Sequence, residues 1–239
     1  MSGQVRFKRA LLKLSGEALL GDKAFGIDDA VADRLAADVA AALALGVKVG
    51  VVLGGGNIFR GMTLAKNGGN RVAGDQMGML ATVMNAIAFE QKLAARGVRT
   101  RLFSAVAMPA FCETFNQKAA QSAYDAGEAV LFACGIGSPF VTTDTGAALR
   151  AAEMGADGLF KGTMVDGIYS ADPKLDPAAT RYDRLTYGEA IGRELKVMDI
   201  AAMALARENG IPIIVFSIHA PGGFVEILKG GGRGTIVSG

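Results

Sequence analysis

The chain has 239 residues, of which 51% are hydrophobic and 20% charged, and its formal net charge is +2. This length suits one large α/β domain or two closely joined lobes, and so small a charge excludes a general electrostatic attraction to nucleic acid. The mean hydropathy is +0.31, but Gly and Pro break the longest uncharged runs below the length of a bilayer span, so we expect no membrane partner.

Apolar runs rich in β-branched residues alternate with helical patterns. In chain order the sequence predicts strand 10–14, helix 28–45, strand 47–53, helix 74–96, strand 100–103, helix 116–126, strand 129–133, helix 144–154, strand 158–161, helix 199–208, strand 213–215 and helix 222–228. The stretch 169–184 is predicted to be a surface excursion. This alternation indicates an α/β fold of right-handed β-α-β units, with a mostly parallel sheet and helices on both faces.

Clusters of Gly and polar residues follow four of the predicted strands, at 13–16, 54–57, 135–144 and 161–163. The carboxyl ends of parallel strands share one edge of a sheet, and ligands bind there in open α/β folds. The sequence therefore predicts one ligand site built from these four loops.

Two lysines, Lys13 and Lys161, close predicted strands. A lysine in an apolar run is costly unless its ammonium meets an anion, although a side chain that reaches solvent would also explain it. No GxxxxGK[ST] motif occurs in the sequence, which argues against a P-loop kinase. The two lysines are candidates for neutralising a transferred phosphoryl group.

The run GGGNIFRG at 54–61 places three glycines, whose amides can approach a phosphate, before Arg60. Simple turn chemistry is the alternative for the glycines.

Asp75 is either an acid in the first turn of its helix or an acceptor for ribose hydroxyls. The hydroxyl-rich 135–144 loop leads into a helix, where Thr143 or Asp144 is expected to cap and the N-terminus can hold an anion.

Several further residues have a predicted role. Tyr169 could stack on an adenine, Asp172 could accept a hydrogen bond from ribose or base, and Asp199 is either a helix cap or an acid that orients a lysine. His219, the single histidine, is predicted to lie in a loop. The methionines Met77, Met79 and Met84 follow helical spacing and are expected to fill a core or an interface.

The segment 1–9 is polar and basic and lacks the apolar stretch of a secretory signal. Cys112 and Cys134 are not in CxxC spacing and are expected to be reduced thiols in the core. These features predict a cytoplasmic location.

Six segments together resemble bacterial UMP kinases, a family of the amino acid kinase superfamily. They are KLSGEA at 13–18, GGGN at 54–57, GDQMGMLAT at 74–82, PFVTTD at 139–144, VDG at 165–167 and LKVMD at 195–199. The resemblance spans about residues 8–237. It implies a three-layer α/β/α sandwich in a single domain over 1–239, with an acceptor-binding lobe at about 1–157 and an ATP-binding lobe at about 158–239.

The resemblance also implies the site residues, with ATP as phosphoryl donor, UMP as acceptor and Mg²⁺ on the donor phosphates. The implied ATP contacts are Lys13, Leu14, Ser15, Gly16, Glu17, Ala18, Gly56, Arg60, Thr163, Tyr169 and Asp172. The implied UMP contacts are Gly55, Asp75, Ile136, Gly137, Ser138, Pro139, Phe140, Val141, Thr142 and Thr143. The implied catalytic residues are Lys13, Arg60, Asp144, Lys161 and Asp199, and none is expected to be a fixed metal ligand.

The family resemblance further implies a homohexamer, activated by GTP and inhibited by UTP, with 21–26 and Arg101 near the regulatory regions. This chain departs from the family by carrying Ile136 and Ser138 where Thr and Asn are usual, so a side-chain hydrogen bond at 136 is lost. Two alternatives remain open: a related kinase with a carboxylate or carbamate acceptor, and a nucleotide-binding protein without turnover.

Overall fold

The computed structural model describes residues 5–59, 68–195 and 197–239. Its strands are β1 (Arg9–Leu14), β2 (Lys48–Leu53), β3 (Thr100–Ser104), β4 (Glu113–Thr114), β5 (Ala129–Ala133), β6 (Gly158–Thr163), β7 (Ile168–Tyr169), β8 (Arg181–Tyr182), β9 (Arg184–Thr186), β10 (Ile213–Ser217) and β11 (Gly234–Ser238). Its helices are α1 (Asp29–Ala44), α2 (Arg71–Ala94), α3 (Gln117–Asp125), α4 (Thr143–Glu153), α5 (Tyr187–Gly192), α6 (Ile200–Glu208) and α7 (Gly223–Leu228). A 3-10 helix at Gly16–Leu19 follows β1.

Nine of the strands in these described ranges form one sheet, in the order β4-β3-β5-β2-β1-β6-β10-β11-β9. All of its pairings are parallel except that between β10 and β11. The sheet thus divides between β1 and β6 into a half from the predicted N-terminal lobe and a half from the predicted C-terminal lobe. β7 and β8 form a separate antiparallel ribbon.

The sheet has a hydrophobic core on each face. Residues of α1, α2 and α7 pack in one core, and residues of α3, α4, α5 and α6 pack in the other. Successive strand residues point to opposite faces: in β1, Leu12 and Leu14 belong to the first core and Leu11 to the second. The expected α/β/α sandwich is confirmed.

The twelve predicted elements are all present, with ends shifted by at most three residues. The prediction missed β4, β7, β8, β9, β11 and α5. Four of these missed strands have only two or three residues, and α5 has six, which is too short for a periodic pattern. The ribbon of β7 and β8 lies in the stretch predicted as a surface excursion.

No helix in the described part of the chain combines the length and the apolar character needed to cross a bilayer.

Candidate active site

Lys13 and Lys161 lie side by side at the carboxyl ends of β1 and β6, where they are register partners. Their side chains therefore leave the sheet on the same face. Each forms an ion pair with Asp144, Lys13 Nζ at 2.6 Å from Oδ1 and Lys161 Nζ at 2.9 Å from Oδ2. Asp144 comes from the first turn of α4, so three segments distant in the chain meet at one carboxylate.

This triad of Lys13, Asp144 and Lys161 is largely shielded from water, with the side chain of Lys13 only 7% exposed. Burial raises the pKa of Asp144, but the ammonium groups of Lys13 and Lys161 outweigh it and hold that pKa below its usual value. Burial, together with the charge of Lys13, lowers the pKa of Lys161 against the opposing effect of Asp144. Two cations share one carboxylate, and the remaining positive charge favours an anion at this edge of the sheet.

Asp199 ties α4 to α6. Its Oδ1 caps α6 by accepting a hydrogen bond from Ala202 N at 2.8 Å, and it also accepts one from Thr145 Oγ1 at 2.8 Å. Thr142 Oγ1 donates to the other carboxylate oxygen. The cap interpretation of Asp199 is confirmed, and its negative charge also opposes the lowering of the Lys161 pKa.

The cap of α4 was expected at Thr143 or Asp144, and that expectation is wrong. The N-cap is Thr142, whose extended backbone (φ −82°, ψ 167°) directs its side chain to accept a hydrogen bond from the amide of Asp144. Thr143 is already the first helical residue, and Asp144 is an acid of the first turn.

Close packing explains most of the glycines in the loops after β1 and β2. A Cβ on Gly16 would stand 2.4 Å from Gly56 N, one on Gly54 2.8 Å from Gly16 N, and one on Gly55 2.6 Å from Gly78 O. A Cβ on Gly56 would meet nothing within 4 Å. Close packing therefore does not explain glycine at position 56, and the space beside its Cα would allow a phosphate to approach.

A cavity of about 270 Å³ lies between the loop after β2, the start of α2 and the loop before α4. The predicted site residues in its lining are Gly55, Gly56, Asp75, Ser138, Val141, Thr142 and Thr143. The lining residues that the sequence analysis did not assign as nucleotide contacts are Phe59, Gly74, Gly78, Met79, Thr82, Cys134 and Gly135.

Asp75 lines this cavity, but its position within α2 differs from the one that the sequence predicts. Asn70 caps α2, which begins at Arg71, so Asp75 lies in the second turn and its interpretation as an acid of the first turn is wrong. Arg71 Nε donates to both carboxylate oxygens, at 2.9 and 2.8 Å, and Phe140 N donates to Oδ2 at 2.8 Å. Phe140 has a left-handed backbone, with φ 68°, and its ring packs under the Arg71 guanidinium.

Several predicted contacts lie elsewhere. Ile136, Gly137, Pro139 and Phe140 are not among the residues that line the cavity. The side chains of Leu14 and Ala18 are buried in the hydrophobic core, so only their backbone can meet a nucleotide. Arg60 lies outside the described residues.

The residues implied as adenosine contacts, Thr163, Tyr169 and Asp172, are hydrogen-bonded to near neighbours in the chain. Thr163 Oγ1 donates to Val165 O at 2.6 Å, and Tyr169 OH donates to Asp166 Oδ1 at 2.6 Å. Asp172 Oδ1 accepts from Lys174 N at 2.9 Å in an exposed turn. Ser15, Gly16 and Glu17 lie directly after β1, where Ser15 caps the 3-10 helix. Their roles toward ATP stay predictions.

Thr82 is a structural residue of the site that sequence reasoning missed. Its Oγ1 donates to Met79 O at 2.6 Å and accepts a hydrogen bond from Cys134 N at 2.8 Å, which joins α2 to the loop after β5. The sequence feature that could have identified this role is a threonine among the buried residues of α2. Cys134 is buried as expected, whereas Cys112 is half-buried, and burial raises the pKa of both thiols.

The described residues contain no group of three or more His, Cys, Asp or Glu side chains able to hold a metal ion. Mg²⁺ usually keeps waters and is held by substrate phosphates with only one or two carboxylates. A divalent ion carried by a nucleotide therefore fits this donor set, and an ion bound by protein ligands alone does not.

The chain belongs to the amino acid kinase family, whose sequence model matches residues 8–217. Among its relatives, the uridylate kinase of Agrobacterium fabrum is 64% identical over 99% of this chain and 98% of the relative. The uridylate kinase of Rhizobium meliloti is 62% identical over 100% and 99% of the two chains. The fold superposes on the crystal structure of UMP kinase from Bacillus anthracis with a TM-score of 0.94 at 34% identity, covering 97% of this chain and 96% of that one. For UMP kinase from Ureaplasma parvum the TM-score is 0.92 at 35% identity, with 98% and 100% covered.

Proposed function

We propose that this enzyme transfers the γ-phosphoryl group of ATP to UMP, giving ADP and UDP, as a step of pyrimidine nucleotide biosynthesis. The observation that carries the proposal is the triad of Lys13, Asp144 and Lys161, in which two shielded ammonium groups share one carboxylate. The uridylate kinases that match nearly the whole chain support UMP as the acceptor.

In the proposed mechanism the chain offsets the repulsion between two nucleotides' phosphates. Phosphoryl transfer is catalysed mainly by positioning and by electrostatic stabilisation of the charge on the transferred group. Asp144 holds the ammonium groups of Lys13 and Lys161 in place, and these cations neutralise the equatorial oxygens. The acceptor phosphate is already an anion, so no strong general base is needed, and a single exposed histidine is no obstacle.

On the donor side, we propose that the ATP phosphates meet Ser15, Gly16 and Gly56. Arg60 remains a proposed further cation. Mg²⁺ bound to these phosphates would supply additional charge stabilisation. The proposed adenosine contacts are Thr163, Tyr169 and Asp172, in the C-terminal lobe.

On the acceptor side, we propose that UMP occupies the cavity between Gly55, Asp75 and the 136–143 loop. Thr143 and the N-terminus of α4 face its phosphate, while Thr142 lines the cavity with its hydroxyl already donated to Asp199. Asp75 is proposed to accept from the ribose hydroxyls through the lone pairs that Arg71 and Phe140 leave free. Because Ile136 has no polar side-chain atom, contact at that position would be made through the backbone.

The proposal is tested by an acceptor profile. Release of ADP is followed in a coupled assay with UMP, CMP and a carboxylate acceptor in parallel. We expect turnover with UMP, at least about 100-fold lower kcat/KM with CMP, because a site that hydrogen-bonds one base edge rejects another, and none with the carboxylate. Turnover with the carboxylate alone would indicate another kinase of the family, and no turnover with any acceptor would indicate a binding protein.

Replacing Asp75 by asparagine is expected to raise the KM for UMP about 10-fold or more, because the ribose hydroxyls lose a charged acceptor. The KM for ATP should hardly change. Initial rates with either nucleotide varied separate the two constants, and Asp22→Asn, at an exposed position, serves as the matched control. Unchanged UMP kinetics would exclude Asp75 from the acceptor site.

The assembly, its regulation and its location are further parts of the proposal. Met79 packs against the first hydrophobic core, as expected. Met77, Leu80 and Met84 are 45%, 54% and 56% exposed on one side of α2, so the core interpretation is wrong for Met77 and Met84 and their role at an interface stays open. This apolar stripe supports self-association, which we propose reaches a homohexamer, and sedimentation equilibrium measures it. We also propose a cytoplasmic location, with activation by GTP and inhibition by UTP.

A further inference from the structure

Two asparagines with no assigned role, Asn57 and Asn85, form a buried amide pair beneath the loop after β2. Asn57 is 3% exposed and Asn85 0%. Asn57 Nδ2 donates to Asn85 Oδ1 at 2.9 Å, and Asn85 Nδ2 donates to Asn57 Oδ1 at 2.7 Å. The two side chains thus hold each other through a reciprocal pair of hydrogen bonds.

The remaining amide hydrogens reach main-chain carbonyls of two other segments. Asn85 Nδ2 donates to Gly54 O at 2.7 Å, and Asn57 Nδ2 donates to Gly26 O at 3.0 Å. Every amide hydrogen of the pair therefore has an acceptor, which is what a buried polar group requires. The pair joins α2, the loop after β2 and the segment around Gly26.

The loop that the pair holds is packed against the loop after β1. A Cβ on Gly16 would come within 2.5 Å of Asn57 Oδ1 and 2.4 Å of Gly56 N. Gly16 is a proposed donor contact, whereas Gly55, between Gly54 and Gly56, lines the acceptor cavity. The amide pair therefore lies where the donor and acceptor sides of the site meet.

Packing alone does not call for asparagine at position 85. Its neighbours on the buried face of α2 include Ala81, Ala86 and Phe89, and an apolar residue would continue that face without any need for hydrogen bonds. A buried polar pair is weak as a source of stability but can specify one arrangement of the segments that it joins.

We infer that Asn57 and Asn85 are positioning residues, which set the distance between the donor and acceptor phosphates by fixing Gly54–Gly56 against Gly16. The inference rests on the proposed function. It predicts a loss in the rate of transfer, because a displacement of about 1 Å between reacting groups costs about 100-fold in rate. Each nucleotide also has proposed contacts outside the 54–56 loop, at Ser15 and Gly16 for ATP and at Asp75 for UMP, so the binding of each should change much less than the rate.

The test replaces Asn85 by leucine, which keeps the number and branching of the side-chain heavy atoms and removes the hydrogen bonds. We expect kcat to fall about 100-fold and both KM values to change less than about threefold. Phe89→Leu is the matched control, since it weakens packing on the same buried face, one turn further along α2. Phe89→Leu should lower the urea midpoint of unfolding at least as much as Asn85→Leu does, while its kcat stays within about twofold of the wild-type value.

A normal kcat in Asn85→Leu overturns the inference, and so does an equal loss of kcat in Phe89→Leu, since that would reflect general destabilisation. If Asn85→Leu does not fold, Asn85→Ser is judged by the same criteria. The wild-type enzyme is assayed with UMP first. Lack of turnover in that assay contradicts the proposed function and not the inference about the amide pair. The kcat ratios are then measured with the acceptor that the wild type uses.

Discussion

Replacing Lys13 by methionine is expected to lower kcat roughly 100- to 1,000-fold, the usual cost of removing one group that stabilises transition-state charge. Methionine preserves most of the side-chain volume, and the ion pair between Lys161 and Asp144 remains. The KM for either nucleotide should change much less. Steady-state rates of ADP release, with ATP and UMP varied in turn, measure both constants.

The matched control is Lys8→Met, which removes an exposed ammonium from the residue just before β1. This variant should keep wild-type kcat, which shows that loss of a positive charge from this segment is not itself the cause. Near-normal turnover of Lys13→Met would remove Lys13 from the mechanism.

Replacing Asp144 by asparagine is expected to abolish most activity and also to destabilise the fold, by about 3–5 kcal/mol at neutral pH. The neutral amide leaves the ammonium groups of Lys13 and Lys161 shielded from water without the anion that separates them. Urea unfolding of wild type and variant measures the difference in free energy, and the coupled assay measures the rate.

The effect of Asp144→Asn on stability should depend on pH with a definite sign. The pKa of Asp144 lies below its unfolded value of 3.8, so its carboxylate stabilises the fold fully above about pH 4. That contribution is lost as the pH falls through the lowered pKa. The difference between wild type and variant should therefore be constant from pH 7 to about 4.5 and shrink in stronger acid.

Asp33→Asn, which breaks a half-exposed ion pair with Arg96, is the control because surface pairs contribute little. Its urea midpoint should stay near that of the wild type. A difference of the same size for Asp33→Asn and Asp144→Asn, or one for Asp144→Asn that persists unchanged in strong acid, would contradict the assignment.

Much of the site could be predicted because of one topological rule. Parallel β-α-β units bring the carboxyl ends of successive strands to one edge, so the sequence predicts that Lys13 and Lys161 lie close together. Their register pairing on β1 and β6 agrees with that expectation. The glycine and hydroxyl loops were located by the same rule.

Other features could not be predicted because several residues shared the same local preference. Thr142, Thr143 and Asp144 are all residue types that cap helices, and only the extended backbone of Thr142 decides among them. The start of α2 was misplaced for a related reason, since Asn70 and Asp75 both suit a helix N-terminus. The short strands at and near the sheet edge had too few residues to show a pattern.

The amino-acid sequence by itself determined the alternation of strands and helices, the charged side chains available and the loops in which they lie, because these depend on residues that are neighbours in the chain. Only the tertiary structure decided that Lys13 and Lys161 share Asp144, that space is left beside the Cα of Gly56 while Gly16 and Gly55 are closely packed, and that Asn57 pairs with Asn85. These are contacts between segments distant in the chain, and they exist only after the two hydrophobic cores have packed on the sheet.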